Sequence, residues 1–161
     1  MKLSFNLNGR PVETEYEHQE TLAEVLRERM NLTGTKISCE VQVCGACTVL
    51  VDGLPVSSCT LLAYEARGRS VVTIEGLAKP DGALHPIQQA FIDEFAFQCG
   101  FCTPGMILAA KALLDENPQP HAIKLFITWT AISAAAPAMS RSCARSRRPR
   151  TKWHNRLRNE R

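Results

Sequence analysis

"TGTKISCEVQVCGACTVLVDG", residues 33–53, holds three cysteines in a short stretch that ends in a strand-like run. Cys39, Cys44 and Cys47 follow one another as C-x4-C-x2-C, and Cys59 comes after a further eleven intervening residues. Four cysteines this close together, in a chain without a secretory pattern, favour metal or redox chemistry over structural disulfides. The stretch therefore predicts a loop that wraps a metal site built from thiolates.

The spacing of the first three cysteines is that of plant-type [2Fe–2S] proteins, whose fourth thiolate comes from further along the chain. Four thiolates must converge on two irons, so one loop supplies three of them and an adjacent element supplies the last. Bridging sulfides carry negative charge that backbone N–H groups stabilise, and Gly45 lets the main chain come close to them. Cys39, Cys44, Cys47 and Cys59 are therefore the predicted ligands of a [2Fe–2S] cluster.

Three other uses of these cysteines stay open on the spacing alone. Zinc sites usually show paired C-x2-C knuckles, whereas here one knuckle is joined to a C-x4-C step. Disulfides are rare in a reducing compartment. Unliganded buried cysteines explain one or two positions more easily than four. Iron–sulfur chemistry is favoured over all three.

Two β-hairpins are predicted on either side of the cysteine loop. Apolar and polar side chains alternate in "KLSFNLNGRPVETEY" around Asn8-Gly9, and "TVLVDGLPVSSC" has a turn signal at Asp52-Gly53. Asn-Gly and Asp-Gly favour the tight turns that join antiparallel strands. A further strand is predicted at "SVVTIEG".

One helix is predicted between the first hairpin and the cysteine loop. Thr21 and Glu24 have the spacing of a capping box, and Gly34 lies just past the end of the pattern. The apolar stripe of this helix consists of Leu22, Val25, Leu26 and Met30. Residues 1–76 are therefore predicted to form an α+β domain, a small sheet with one helix packed across it.

From Leu84 onward the pattern becomes helical. "HPIQQAFIDEFAFQ" places Ile87, Phe91 and Phe95 at four-residue intervals, which predicts one helix. "TPGMILAAKALLDENPQP" predicts another, with Thr103 as its N-cap. An all-helical second domain is therefore expected at residues 84–120, joined to the first by the linker "LAKPDGA" at residues 77–83.

Cys99 and Cys102 lie between these two helices, in "QCGFCTPG". As metal ligands they are half of a site. A thioredoxin-like redox pair is the alternative, since a helix N-terminus lowers a thiol pKa. That motif belongs to a βαβ setting, however, and here helices are predicted on both sides.

Charge divides the chain near residue 120. Residues 1–120 contain nine Lys and Arg against fifteen Asp and Glu, whereas residues 121–161 contain ten Lys and Arg and one acid. A basic tail often indicates nucleic acid, but this one shows no helical periodicity, RNA-binding signature or aromatic platform, so no nucleic-acid partner is expected.

The remaining composition predicts a cytoplasmic protein without a membrane span. No apolar run reaches the length needed to cross a bilayer. The N-terminal "MKLSFNLNGRPVE" contains neither an apolar signal core nor a twin-arginine pair. Seven cysteines in such a chain favour metal or redox chemistry over structural disulfides.

Four stretches of residues 1–120 together point to a known family: "TGTKISCEVQVCGACTVLVDG", "SSCT", "QCGFCTPGM" and "LLDENPQP". They resemble the small iron–sulfur subunit of the molybdenum hydroxylases, which include xanthine dehydrogenase, aldehyde oxidoreductase and carbon monoxide dehydrogenase. The resemblance implies a plant-ferredoxin-like β-grasp domain followed by a four-helix domain with a second [2Fe–2S] cluster. Cys99 and Cys102 would be two ligands of that second cluster.

The resemblance also implies an electron-transfer subunit without a catalytic site of its own. In this family a molybdenum–pterin cofactor on a large subunit oxidises the substrate with water, and electrons leave singly through both clusters to FAD on a medium subunit. Gln98 lies at the family position that approaches the pterin. A freestanding ferredoxin shuttle is the alternative, although it gives the C-G-F-C segment no purpose. A zinc-stabilised interaction module is a third.

This chain departs from the family pattern in two places. Many members have a glycine between the first two cysteines, whereas "EVQV" stands here, so Gln42 is expected to take an unusual backbone angle. About thirty residues after the C-G-F-C pair the family has G-N-L-C-R-C-T-G-Y, whose C-x-C completes the second cluster. This chain has "TAISAAAPAM" there.

A shifted reading frame accounts for the second departure. Codons made from the third base of one residue and the first two bases of the next can encode all nine family residues in order, with the two cysteines across Ser133/Ala134 and Ala135/Ala136. We therefore interpret residues 121–161 as a frameshifted tail. Cys143 is then an accident of frame, and the second cluster is left with two ligands.

Overall fold

A computed structural model describes residues 1–119, which form a five-stranded sheet followed by two helices. The strands are β1 (Lys2–Leu7), β2 (Arg10–Glu15), β3 (Thr48–Val51), β4 (Leu54–Ser57) and β5 (Ser70–Val72). Their order in the sheet is β2-β1-β5-β3-β4, with β1 and β5 parallel and the other neighbours antiparallel. The predicted α+β, β-grasp-like domain is confirmed. The predicted tail and Cys143 lie outside the described residues.

Both predicted hairpin turns are present. Asn8 and Gly9 have φ angles of 52° and 80°, and Asp52 and Gly53 have φ angles of 50° and 82°. Positive φ at both central residues is the geometry that suits the twist of two antiparallel strands. Local turn chemistry therefore determines the register of β1 with β2 and of β3 with β4.

The helix that crosses the sheet begins with the predicted capping box. In α1 (Leu22–Glu24) the Glu24 N–H donates to Thr21 Oγ1 at 3.3 Å, and the Thr21 N–H donates to Glu24 Oε2 at 2.7 Å. The chain continues as a π-helical turn over Val25–Arg29. The predicted stripe is confirmed, because Leu22, Val25 and Leu26 are fully buried and Met30 packs against them half-buried.

This helix ends before the predicted glycine. Asn31, with φ 55°, is the left-handed residue at its end. Gly34 is therefore not the residue just past the end of the helix, as the sequence predicted. The Gly34 N–H donates instead to Glu75 Oε1 at 2.8 Å, and a Cβ on Gly34 would clash with the side chain of Ile74. Gly34 is therefore needed for a close approach between the segment before the cysteine loop and the segment after β5.

The core of the sheet domain lies between the sheet and α1. Its buried side chains from the strands are Leu3, Phe5, Leu7, Val49, Val51 and Val71. The alternation predicted for β1 places Leu3, Phe5 and Leu7 on the buried face. Strand residues with this period cover one face of a sheet, which is why the helix packs there.

Two helices follow the sheet: α2 (Pro86–Asp93) and α3 (Thr103–Glu116). They pack on each other through a second apolar cluster of Ile87, Phe91, Met106, Ile107, Ala109 and Ala110. Ile74 and Leu77, from the end of the sheet domain and the predicted linker, pack against this cluster. In residues 1–119 no helix is both long and apolar enough to cross a membrane.

The predicted α2 stripe stops one turn early. Ile87 and Phe91 are buried, but the helix ends at Asp93, and Phe95 has φ 49° and is 78% exposed. The N–H of Ala96 donates to the Phe91 carbonyl at 2.9 Å, which closes the end of the helix. The prediction that Phe95 continues the buried stripe is therefore wrong, because the helix ends at Asp93 and Phe95 itself has a left-handed backbone angle.

Candidate metal centre

The cysteine loop concentrates backbone N–H groups on one sulfur. The Cys44 N–H donates to Cys39 Sγ at 3.4 Å. Hydrogen bonds from the backbone of Val41, Cys44 and Val43 lower the pKa of Cys39 to about 6. Such a concavity of N–H groups stabilises an anion. The loop is therefore already shaped to hold Cys39 as a thiolate, the form that binds metal.

Three residues of the loop have left-handed backbone angles. Glu40, Gln42 and Gly45 have φ values of 55°, 61° and 68°. The unusual angle expected for Gln42 is confirmed. Since non-glycine residues seldom have positive φ, the loop stores local strain that its surroundings must stabilise.

Cys47 and Cys59 come together at the other side of the loop, where both are buried. Burial raises the pKa of Cys59 to about 11, and its hydrogen bond with Cys47 adds to this effect. Ser58, which is fully buried, donates its hydroxyl to the Cys47 carbonyl at 2.6 Å and so joins the two segments. Ala23 of α1 completes this small cluster.

Side-chain hydrogen bonds link the thiols of Cys39 and Cys44 and those of Cys47 and Cys59, so the four thiols are grouped as two pairs. A [2Fe–2S] cluster is bound by four ligands, two at each iron. In the described part of the chain no three His, Cys, Asp or Glu side chains are grouped to hold a single metal ion. The paired thiols, the N–H groups around Cys39 and the buried setting of the other three sulfurs all fit a [2Fe–2S] cluster.

The backbone of Gly45 is held against the start of β3, whereas its approach to the bridging sulfides stays a prediction. Its carbonyl accepts hydrogen bonds from the Thr48 hydroxyl at 2.7 Å and from the Thr48 N–H at 3.1 Å. Thr48 is buried at the start of β3. The sheet therefore anchors the loop between Cys44 and Cys47.

The second cysteine segment lies directly before α3. Cys99 is exposed and Cys102 is half-buried, and between them Gly100 has φ 81°. Burial raises the pKa of Cys102, and the charges of Cys99 and Cys44 add to it. The fold brings the two cysteine segments near each other, because a Cβ on Gly105 of α3 would clash with the backbone carbonyl of Gly45 in the cysteine loop. Gln98 is exposed beside Cys99.

The start of α3 differs by one residue from the prediction. Cys102 is the N-cap and Thr103 is the first helical residue. The Cys102 side chain makes no capping hydrogen bond. The sulfur of Cys102 is therefore available to bind a metal.

Comparison with known proteins agrees with this geometry. Residues 5–71 match a family model described as a 2Fe-2S iron-sulfur cluster binding domain, and residues 73–130 match one described as a [2Fe-2S] binding domain. The nicotine 6-hydroxylase small subunit of Paenarthrobacter nicotinovorans is 48% identical over 120 residues, which are 74% of this chain and 72% of that protein. The nicotinate dehydrogenase small FeS subunit of Eubacterium barkeri is 47% identical over 118 residues, 73% of this chain and 74% of that one. The chain belongs to the small iron–sulfur subunits of the molybdenum hydroxylases.

A solved structure confirms the fold of this small subunit. A chain of quinoline 2-oxidoreductase from Pseudomonas putida 86 superposes with a TM-score of 0.87 at 37% identity, covering 99% of this chain and 97% of that one. The predicted family, fold class and electron-transfer role are confirmed. Because the relatives are subunits of oxidoreductases, the freestanding ferredoxin alternative is not supported.

Sequence reasoning missed three residues that support this small subunit's metal centre. Thr48 and Ser58 hold the loop through their hydroxyls, and Gly105 lets α3 approach it. Two of the three had a sequence signal: Ser58 stands next to a predicted ligand, Cys59, and Gly105 lies in the first turn of a helix, where glycine is intrinsically unfavourable.

Proposed function

We propose that this small subunit holds a [2Fe–2S] cluster with Cys39, Cys44, Cys47 and Cys59. The observation that carries the proposal is the grouping of the four thiols into two pairs, with backbone N–H groups directed at Cys39. A cluster held by these residues would supply one-electron transfer at a potential tuned by N–H···S bonds and burial. The chain itself supplies the anionic ligands, the N–H donors and the exclusion of water.

We also propose that Cys99 and Cys102 are two of the four ligands of a second cluster, which only the restored reading frame completes. They face a large molybdenum–pterin subunit, with Gln98 nearest the pterin. Exposed aromatic side chains beside Cys99 support a partner on this face. Phe95, Phe97 and Phe101 are exposed by 78%, 42% and 47%. Clustered exposed apolar side chains are typical of protein–protein interfaces.

A medium FAD subunit is the second proposed partner, at the cysteine loop. Val41 and Val43 are exposed by 64% and 55%, directly beside Cys39. The Cys99 segment and the cysteine loop would then lie in line between the large subunit and the FAD subunit. All six cysteines of residues 1–119 are free thiols, which suits the cytoplasm as the proposed compartment.

Metal analysis of the purified chain tests the ligand assignment. We expect iron and acid-labile sulfide with a reddish-brown visible spectrum, and we expect Cys44→Ser to bleach it. Cys143→Ser is the matched control, since the sequence gives that cysteine no ligand role, and it should leave the spectrum unchanged. Zinc in place of iron in the unaltered chain would refute the proposal.

Isolation from the native host tests the partners. Tagged chain in which the alternative frame has been restored should bring down a large subunit that contains molybdenum and pterin and a medium subunit that contains FAD. Recovery as a monomer that carries electrons alone would instead support the shuttle.

A further inference from the structure

Helix α3 rests directly on the cysteine loop at one glycine. Gly105 is buried in the first turn of the helix. A Cβ built on it would lie 3.1 Å from the Ala46 carbonyl oxygen and still nearer, well inside contact distance, to the Gly45 carbonyl oxygen. The neighbours are backbone atoms and not flexible side-chain ends. Any side chain at this position must therefore move the helix or the loop.

The loop has little freedom to move away. The Gly45 carbonyl is held by both the hydroxyl and the N–H of Thr48, at 2.7 Å and 3.1 Å. Gly45 also lies between two proposed ligands, Cys44 and Cys47, in a left-handed conformation with φ 68°. Displacing this peptide would therefore displace the ligands on either side of it.

The helix carries the other cysteine segment. Cys102 is the N-cap of α3, three positions before Gly105, and its carbonyl accepts the N–H of Met106 at 3.1 Å. The Gly105 contact therefore joins the peptide next to Cys44 to the helical turn that holds Cys102.

We propose that Gly105 is a positioning residue whose missing side chain sets the separation between the cysteine loop and the Cys99–Cys102 segment. The inference rests on the proposed electron-transfer function, because that separation is the gap an electron crosses between the two segments. If the contact with the loop matters, Gly105→Ala should destabilise the chain. If only intrinsic helix propensity mattered, the same substitution would stabilise it, since alanine is a better helix former than glycine. The sign of the effect of Gly105→Ala therefore distinguishes the two explanations.

The separation can be measured in the full chain with its first cluster bound. A nitroxide is attached to the exposed Cys99 in a Cys102→Ser/Cys143→Ser background, and its relaxation enhancement by the reduced cluster is recorded. Gly105→Ala should weaken the enhancement, shift the EPR signal of the cluster and lower the melting temperature. Ala112→Gly, further along α3, is the control: it should lower the melting temperature and leave the enhancement and EPR signal unchanged.

Unchanged enhancement in Gly105→Ala, or a raised melting temperature with an unchanged EPR signal, would overturn the proposal. If Gly105→Ala loses its iron, Thr48→Val decides the matter, because it frees the Gly45 carbonyl from the hydroxyl. Iron binding restored in the double variant supports the proposal, and no restoration contradicts it. If the unaltered chain binds no cluster, the proposed function fails, and the melting temperatures alone still test the contact.

Discussion

The backbone N–H of Cys44 donates to the sulfur of Cys39 at 3.4 Å, so a candidate ligand is already stabilised as an anion by its own loop. Cys59, twenty positions further along, has the opposite environment, because burial disfavours its thiolate. The two ends of one ligand set therefore differ in acidity before any metal binds.

This difference predicts the order in which thiols react in the metal-free chain. The pKa of Cys39 is about 6 and that of Cys59 is about 11, so between these pH values Cys39 is a thiolate and Cys59 a thiol. Iodoacetamide should label Cys39 first, with a midpoint near pH 6, as followed by mass spectrometry of the folded chain. In urea the two should react alike. Equal rates in the folded chain would contradict the environments described.

The same shift has a defined sign for the stability of the metal-free chain. The pKa of Cys39 is lowered in the folded state, from 9.0 to about 6. Its contribution is therefore fully present above about pH 9 and is lost as the pH falls toward 6. The raised pKa of Cys59 has the opposite sign: its contribution to stability is present below about pH 9 and is lost as the pH rises toward 11.

Ser58→Ala tests the hydroxyl that joins the loop to the Cys59 segment. Ser58 is fully buried and donates to the Cys47 carbonyl at 2.6 Å. Removing a buried hydrogen bond of this kind costs about 1–2 kcal/mol of unfolding free energy. Urea denaturation should show this loss, together with faster release of iron to a chelator. Ser57→Ala, at the neighbouring half-buried serine, should change both values less.

Thr21→Ala tests the capping box that positions Ala23 against Cys47 and Cys59. The Thr21 hydroxyl accepts the Glu24 N–H at 3.3 Å, and the variant leaves that N–H without its cap. We expect a loss of about 1 kcal/mol in the free energy of unfolding, measured by urea denaturation. Thr33→Ala, at an exposed threonine, is the control. An equal loss in both variants would show that the cap contributes nothing specific.

Features that depend on adjacent residues were predictable from the sequence. Asn8-Gly9 and Asp52-Gly53 form their turns, and Thr21 forms its cap, because each depends on the conformation of two to four neighbouring residues. The C-x4-C-x2-C spacing of the loop cysteines likewise predicts an iron–sulfur site from adjacent residues. Local physical chemistry was sufficient in each case.

Features that depend on distant contacts were not predictable. Gly34 has the sequence position of a helix end, but its lack of a side chain accommodates Ile74, forty positions away. Phe95 continues the α2 periodicity in sequence, yet the chain turns before it. Gly105 looks like a weak helix residue until the loop that it touches is known. In each case tertiary packing overrode the local pattern.

Beyond about residue 120, outside the described structure, we predict that the chain is read in a shifted frame. The match to the second family model ends at residue 130, where "TAISAAAPAM" begins and where a shifted frame can encode both missing cysteines. Cys99 and Cys102 supply two thiolates, and Cys143 adds at most one, so a four-thiolate site cannot be completed by the chain as written.

Iron should therefore approach about two per unaltered chain and rise to about four when the alternative frame is restored. The restored chain should also show a second EPR signal and assemble with its partner subunits, because ligand binding free energy is also folding free energy for the helical domain. Cys99→Ser/Cys102→Ser in the restored chain is the control and should return the iron to about two. If the unaltered chain already binds about four irons with two distinct EPR signals, the frameshift interpretation is wrong.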